Sequence, residues 1–97
     1  VDMLGVSKLK KFGNPVIFDV THSLQLPGGA GIAADGRSSQ ALDLALSGAA
    51  LGLAGIFVEV HPDPSQALCD GPSATKLDDL EGFLSKINAV DNVVKTF

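Results

Sequence analysis

Apolar positions recur along the chain at two different spacings, and the changes between them mark the elements. Met3, Val6 and Leu9 fall three apart and are followed by crowded lysines, Gly13 and Pro15, the pattern of a helix reaching its end. Pro15 to Val20 is a nearly continuous apolar run rich in β-branched residues, which predicts a strand covered on both faces, as in a parallel sheet. The glycine-rich stretch from Thr21 to Gly36 predicts a long loop. From Arg37 to about Leu51 alanine and leucine dominate, and Ser39 or Gln40, Asp43 and Ser47 form one narrow polar stripe. This spacing predicts a helix with most of its circumference buried. Ala54 to Val60 reads as a second apolar strand, stopped by His61-Pro62-Asp63-Pro64. Thr75 is positioned to cap a last helix with an acidic first turn of Asp78, Asp79 and Glu81. Its apolar face runs through Leu77, Leu80, Phe83, Leu84, Ile87, Val90 and Val94.

The predicted order is two consecutive βα units, an α/β arrangement. Two parallel strands cannot make a sheet that buries both faces, so either further units exist in a longer chain or copies associate. An eightfold barrel of such units takes roughly 250 residues, and two strands are about a quarter of it. The chain opens on Val1 in what reads as the tail of a helix, which leads us to expect the C-terminal portion of a longer protein.

Composition narrows the class. The 97 residues are 45% hydrophobic with no long uncharged apolar run, which fits a globular unit and argues against a membrane span. Seven Lys+Arg against eleven Asp+Glu give a net charge of −4, with no basic stretch to recruit nucleic acid or an anionic membrane. Small molecules or protein are the expected partners. The single cysteine, Cys69, suits a reducing compartment, and the cytoplasm is the expected location.

Candidate chemistry collects where β/α folds gather it, just beyond the C-terminal ends of strands. His22 follows the first strand, Glu59 and His61 end the second, and Asp70 lies in the loop after it. Two imidazoles and two carboxylates suit a divalent metal, a phosphate or a water to be deprotonated. A histidine at a strand end also serves as a loop hydrogen-bonder, and Asp63 between two prolines is most simply a turn residue. Glu59 closes an Ile-Phe-Val strand, and burying such a charge without a partner costs several kcal/mol, roughly, which argues for a functional or paired role. Cys69 has no basic neighbour to activate it and reads equally as a small loop thiol. Gly28-Gly29-Ala30-Gly31 lacks the Lys and Ser/Thr of a phosphate loop. It fits a mobile lid with Arg37 at its far end, either clamping an anionic group or simply starting the helix.

Three strings make the pattern specific. Pro15-Val16-Ile17-Phe18-Asp19-Val20-Thr21-His22-Ser23-Leu24-Gln25, then Leu53 to Glu59 leading into His61-Pro62-Asp63-Pro64, then Cys69-Asp70-Gly71-Pro72-Ser73-Ala74 resemble the C-terminal part of the 3-deoxy-D-manno-octulosonate 8-phosphate synthase family. Val1 to Gly5 and Ala89 to Lys95 are similar to it too, so the resemblance covers essentially the whole chain. It implies a (β/α)8 (TIM) barrel, of which residues 1–97 would be the last quarter: the end of helix six, then strand, helix, strand and helix. It implies a cytoplasmic homotetramer that condenses phosphoenolpyruvate with D-arabinose 5-phosphate and water, releasing phosphate, on the route to lipopolysaccharide. Position by position, it makes His22 and Asp70 catalytic and puts His22, Gln25, Arg37, Glu59 and His61 against substrate. In metal-dependent members His22, Glu59 and Asp70 would hold zinc, iron or manganese, with a cysteine from the first strand of the barrel. The Cys69 to Ser73 string leans to the metal-independent type, whereas Leu26-Pro27-Gly28-Gly29 is similar to loops of metal users; the expectation is no metal. Where many relatives carry two arginines, Asp35-Gly36-Arg37-Ser38 keeps one. The piece alone is expected to be inactive. The alternative is a non-catalytic assembly fragment that pairs with an N-terminal chain or with itself.

Overall fold

The structure is a computed structural model that describes residues 1–25 and 38–97. The glycine-rich stretch from Leu26 to Gly36, with the expected lid, and the expected anion clamp Arg37 lie outside the described residues. Helix α1 spans Met3–Leu9, with the Asp2 carboxylate accepting from the Gly5 amide at 3.0 Å. A 3-10 turn over Lys10–Phe12 follows, and Gly13 closes it in the left-handed region at φ 84°, the stop that the lysines, glycine and proline predict.

Strand β1 is Ile17–Asp19 and pairs in parallel with β2, Gly55–Phe57, with Phe18 opposite Ile56. Between them lies helix α2, Ala41–Ala50, so the expected strand, helix, parallel strand order is present. Helix α2 buries its small residues Ala41, Ala45, Gly48 and Ala49. Gly48 is the closest approach: a Cβ there would stand 2.2 Å from Cδ2 of Phe18, so the helix lies on the β1 ring only because position 48 has no side chain. Phe18, Val20, Leu24, Leu53 and, from the last helix, Phe83 and Ile87 complete the core. Helix α3 is Leu80–Val94.

Four expectations are corrected. The strand expected over Ala54 to Val60 is two: β2 stops at Phe57, and β3, Val60–His61, pairs in parallel with β4, Thr75–Lys76. The backbone of Glu59 explains the break, because its N–H goes to a side chain, the hydroxyl of Thr21. Thr75 is therefore a strand residue and not a helix cap; a 3-10 turn, Leu77–Asp79, intervenes before α3 and carries two of the expected first-turn acids. Neither strand face pair is fully covered. Ile17 and Phe57 are 58% and 45% exposed, since the helices cover one face of the β1–β2 pair. Leu77 and Leu84, expected on the buried face of the last helix, are exposed as well.

Candidate functional site

The chain leaves β1 through a turn that its own side chains fasten. Oδ1 of Asp19 accepts from the backbone amides of Thr21 and His22, both at 3.0 Å, and the Ser23 hydroxyl donates to the Asp19 carbonyl at 2.6 Å. Val20 and Thr21, inside this turn, have no exposed surface, and a 3-10 turn over His22–Leu24 buries Leu24 below it. The turn is thus held from beneath by packing and from within by the Asp19 carboxylate, and it lifts the His22 ring to the surface.

The second strand is latched to the same turn. Val20 donates its amide to the Phe57 carbonyl at 3.0 Å, and the Glu59 amide donates to Oγ1 of Thr21 at 2.7 Å. The Glu59 carbonyl accepts from the Thr75 amide at 2.8 Å, which draws in the segment beyond Asp70. Asp70 adopts a left-handed backbone, φ 55° and ψ 13°, and its carbonyl accepts from the amides of Ser73 and Ala74. Gly71 sits where a Cβ would be 2.3 Å from the Pro64 carbonyl oxygen, so the loop closes tightly behind Asp70.

Three distant stretches thereby meet at one imidazole. Nδ1 of His22 is 2.8 Å from Oδ2 of Asp19, and Nε2 is 3.0 Å from Oδ2 of Asp70 and 3.4 Å from Oε1 of Glu59. Gln25 donates its side-chain amide to the other Asp70 oxygen. The Phe57 ring stands 6.0 Å from the imidazole, tilted by 38°. The site is half open to solvent, with the His22 side chain 40% exposed and that of Asp70 21%. Hydrogen bonds from the ring to Asp19 and then to Asp70, reinforced by the charges of both carboxylates, raise the His22 pKa above its ordinary value. Burial alone would raise the Asp19 carboxyl. The hydrogen bonds and charge of His22 together with the Thr21 amide outweigh it and hold Asp19 below the usual carboxylate range.

Of the residues singled out from the sequence, His22, Glu59, Asp70 and Gln25 are brought together. His61 is engaged elsewhere, its Nδ1 accepting from the Asp63 amide at 3.0 Å. Asp63 is the turn residue expected, accepting from the amide and hydroxyl of Ser65, and these bonds, the hydroxyl's foremost, lower its pKa. Cys69 is exposed. Two participants went unnoticed in the sequence, Asp19 and Thr21. An acid closing an apolar strand is the signal that drew attention to Glu59, and it applies equally to Asp19.

The donor set suits a divalent cation. One atom each from His22, Glu59 and Asp70 lies within 4.8 Å of the others, an imidazole and two carboxylates of the kind that hold zinc, iron or manganese. The same three atoms also satisfy one another when a proton sits on Nε2, so the geometry accommodates both states.

Residues 1–96 match the model of the DAHP synthetase I family. The chain belongs to this family. Among curated relatives, the 2-dehydro-3-deoxyphosphooctonate aldolase of Shewanella amazonensis is 59% identical over all 97 residues, which cover 34% of that protein. Proteins of the same name from Shewanella sediminis and Hahella chejuensis are 58% identical over the same span. The resemblance read from the three strings is therefore upheld, and with it an aldolase-type synthase family. Family membership implies a TIM barrel, and the chain spans about a third of the length of these relatives. Among the described residues no helix is long and apolar enough to cross a membrane.

Proposed function

We propose that this chain is the C-terminal part of a (β/α)8-barrel synthase that condenses phosphoenolpyruvate with D-arabinose 5-phosphate and water, giving 3-deoxy-D-manno-octulosonate 8-phosphate and phosphate. The observation that carries the reading is the convergence of His22, Glu59 and Asp70 beyond the C-terminal ends of a parallel strand pair, in a chain 59% identical to a relative bearing that aldolase name. Ile17 and Phe57 support it from the other side of the sheet: their open faces are what the first six units of a barrel would cover. The complete enzyme is read as a cytoplasmic homotetramer serving lipopolysaccharide synthesis.

The chemistry asks for little covalent help from the protein. The methylene carbon of an enol phosphate is nucleophilic and the pentose aldehyde is electrophilic; their bond leaves the phosphate-bearing carbon electron-poor. Water adds there, and phosphate departs with its oxygen. In this reading Asp70 and Glu59 take a proton of that water and pass it to the alkoxide left on the former aldehyde oxygen. His22, when protonated between three carboxylates, offers Nε2–H to a phosphate or developing oxyanion, and Gln25 holds Asp70 in register. In this reading Arg37 clamps an anionic group of a substrate, and His61 touches substrate from outside the His22 cluster. A divalent cation held by His22, Glu59 and Asp70 would supply Lewis-acid polarisation at the same spot, and the metal-independent type remains the reading we favour.

In the full chain, His22→Ala is expected to lower phosphate release from the two substrates by about 10²- to 10⁴-fold, a far larger effect than its loss of stability, because the ring is partly exposed. Unchanged turnover would remove His22 from the mechanism.

A further inference from the structure

The His22 ring has two nitrogens with different tasks. Nε2 faces Asp70 and Glu59, while Nδ1 faces a carboxylate on its own strand, Asp19, at 2.8 Å. That carboxylate cannot swing away. Its other oxygen is fixed by the amides of Thr21 and His22, the residue carrying it is paired in β1, and the Ser23 hydroxyl holds its carbonyl. Asp19 thus shapes the turn with one oxygen and grips the ring with the other.

We propose that Asp19 is the positioning residue of this site, accepting the hydrogen bond of the His22 Nδ1–H so that Nε2 is the nitrogen that gives up a proton, or receives a cation, between Glu59 and Asp70. The inference rests on the reading of His22 as a site residue. When Nε2 carries a proton, both ring nitrogens donate and all three carboxylates are served. When Nε2 is bare, only a ring that keeps its proton on Nδ1 retains the Asp19 bond. Without an acceptor at Asp19 the neutral ring is free to place its remaining proton on Nε2, toward the two carboxylates, where it blocks both tasks.

Asp19→Asn is the discriminating change. Its amide oxygen can keep the two backbone bonds of the turn, while its NH2 group now faces Nδ1 and demands an acceptor there. The neutral ring is then forced to carry its proton on Nε2. The experiment uses the full chain labelled with ¹⁵N-histidine and reads the ring nitrogens by two-bond ¹⁵N–¹H correlation, alongside turnover of phosphoenolpyruvate and arabinose 5-phosphate. For the unaltered protein we expect the neutral His22 ring to be protonated on Nδ1. In Asp19→Asn the proton moves to Nε2 and turnover falls about 10- to 100-fold, with Michaelis constants changing less than kcat.

An unaltered protein whose neutral ring carries its proton on Nε2 overturns the inference, and this result does not depend on the variant folding. So does an Asp19→Asn protein that keeps its ring proton on Nδ1 or turns over within about twofold of the original, well short of the expected effect. A full chain that releases no phosphate from the two substrates, yet shows the expected exchange of ring protons, defeats the functional reading and supports the role of Asp19.

Discussion

Thr21 is the residue on which the site's assembly turns. Its side chain has no exposed surface, and its hydroxyl is the partner of the Glu59 amide, so one oxygen joins the end of the first strand to the carboxylate contributed by the second. Thr21→Val keeps the shape and removes the acceptor, leaving that amide unsatisfied. We expect a loss of about 1–3 kcal/mol in chemical denaturation of the full chain, together with reduced turnover as Glu59 loses its anchor. Thr21→Ser should retain most of both, and a valine variant as stable and active as the original would show the bond to be incidental. The pKa of His22 makes a second claim at this scale. The ring's folded value is raised above the ordinary 6.5, so its ion pairs stabilise the fold in full below that pH. Their contribution fades as pH rises through the folded value. The difference in thermal midpoint between the original and His22→Gln should accordingly be largest near pH 6 and shrink toward pH 9. A difference that grows with pH would reverse the sign.

Between elements, the seat of α2 on β1 is the most demanding contact. Gly48→Ala would push a methyl to 2.2 Å from Cδ2 of Phe18, an overpacking that we expect to cost about 1–3 kcal/mol. Phe18→Leu in the same chain should recover part of it, and additive effects in the double variant would mean that the two positions do not press on each other. How far the elements could be read from the sequence depends on the range of the forces that define them. The Ala-rich helix, the β1 strand and the end of α1 follow from local pattern, and they are present. The division of the second strand does not, because it is made by Thr21 and Thr75, which lie 38 and 16 positions away from Glu59 in the chain. Thr75 looked like a cap for the same reason: its local setting suits one, while its pairing with Val60 is a long-range fact. At the site, strand ends point to His22, Glu59 and Asp70, which the fold brings together, but only the folded geometry shows that Asp19 faces the ring and His61 does not join it.

As a molecule, the chain is one helical layer against short parallel strand pairs, with apolar side chains open on strands and helix alike. Ile17, Phe57, Leu77 and Leu84 are each more than two-fifths exposed, a distribution suited to a chain that spans a third of its relatives' length. The isolated 97 residues should bind a hydrophobic dye strongly and melt over a broad range, whereas the full chain should bind little dye and melt sharply. A sharp, dye-free transition of the isolated piece as a monomer would contradict the barrel reading. The loop behind the cluster carries a different consequence. Asp70 stands in the left-handed region, which few side chains other than glycine, asparagine and aspartate occupy without strain, and Gly71 beside it admits no Cβ. Sequence change at this corner is filtered twice, by backbone and by charge. A lineage or a designer seeking to silence the carboxylate while keeping the loop has two unstrained routes, to asparagine and to glycine, whereas a drift toward glutamate, conservative on paper, meets a main-chain penalty of about 1–2 kcal/mol before its charge is ever consulted.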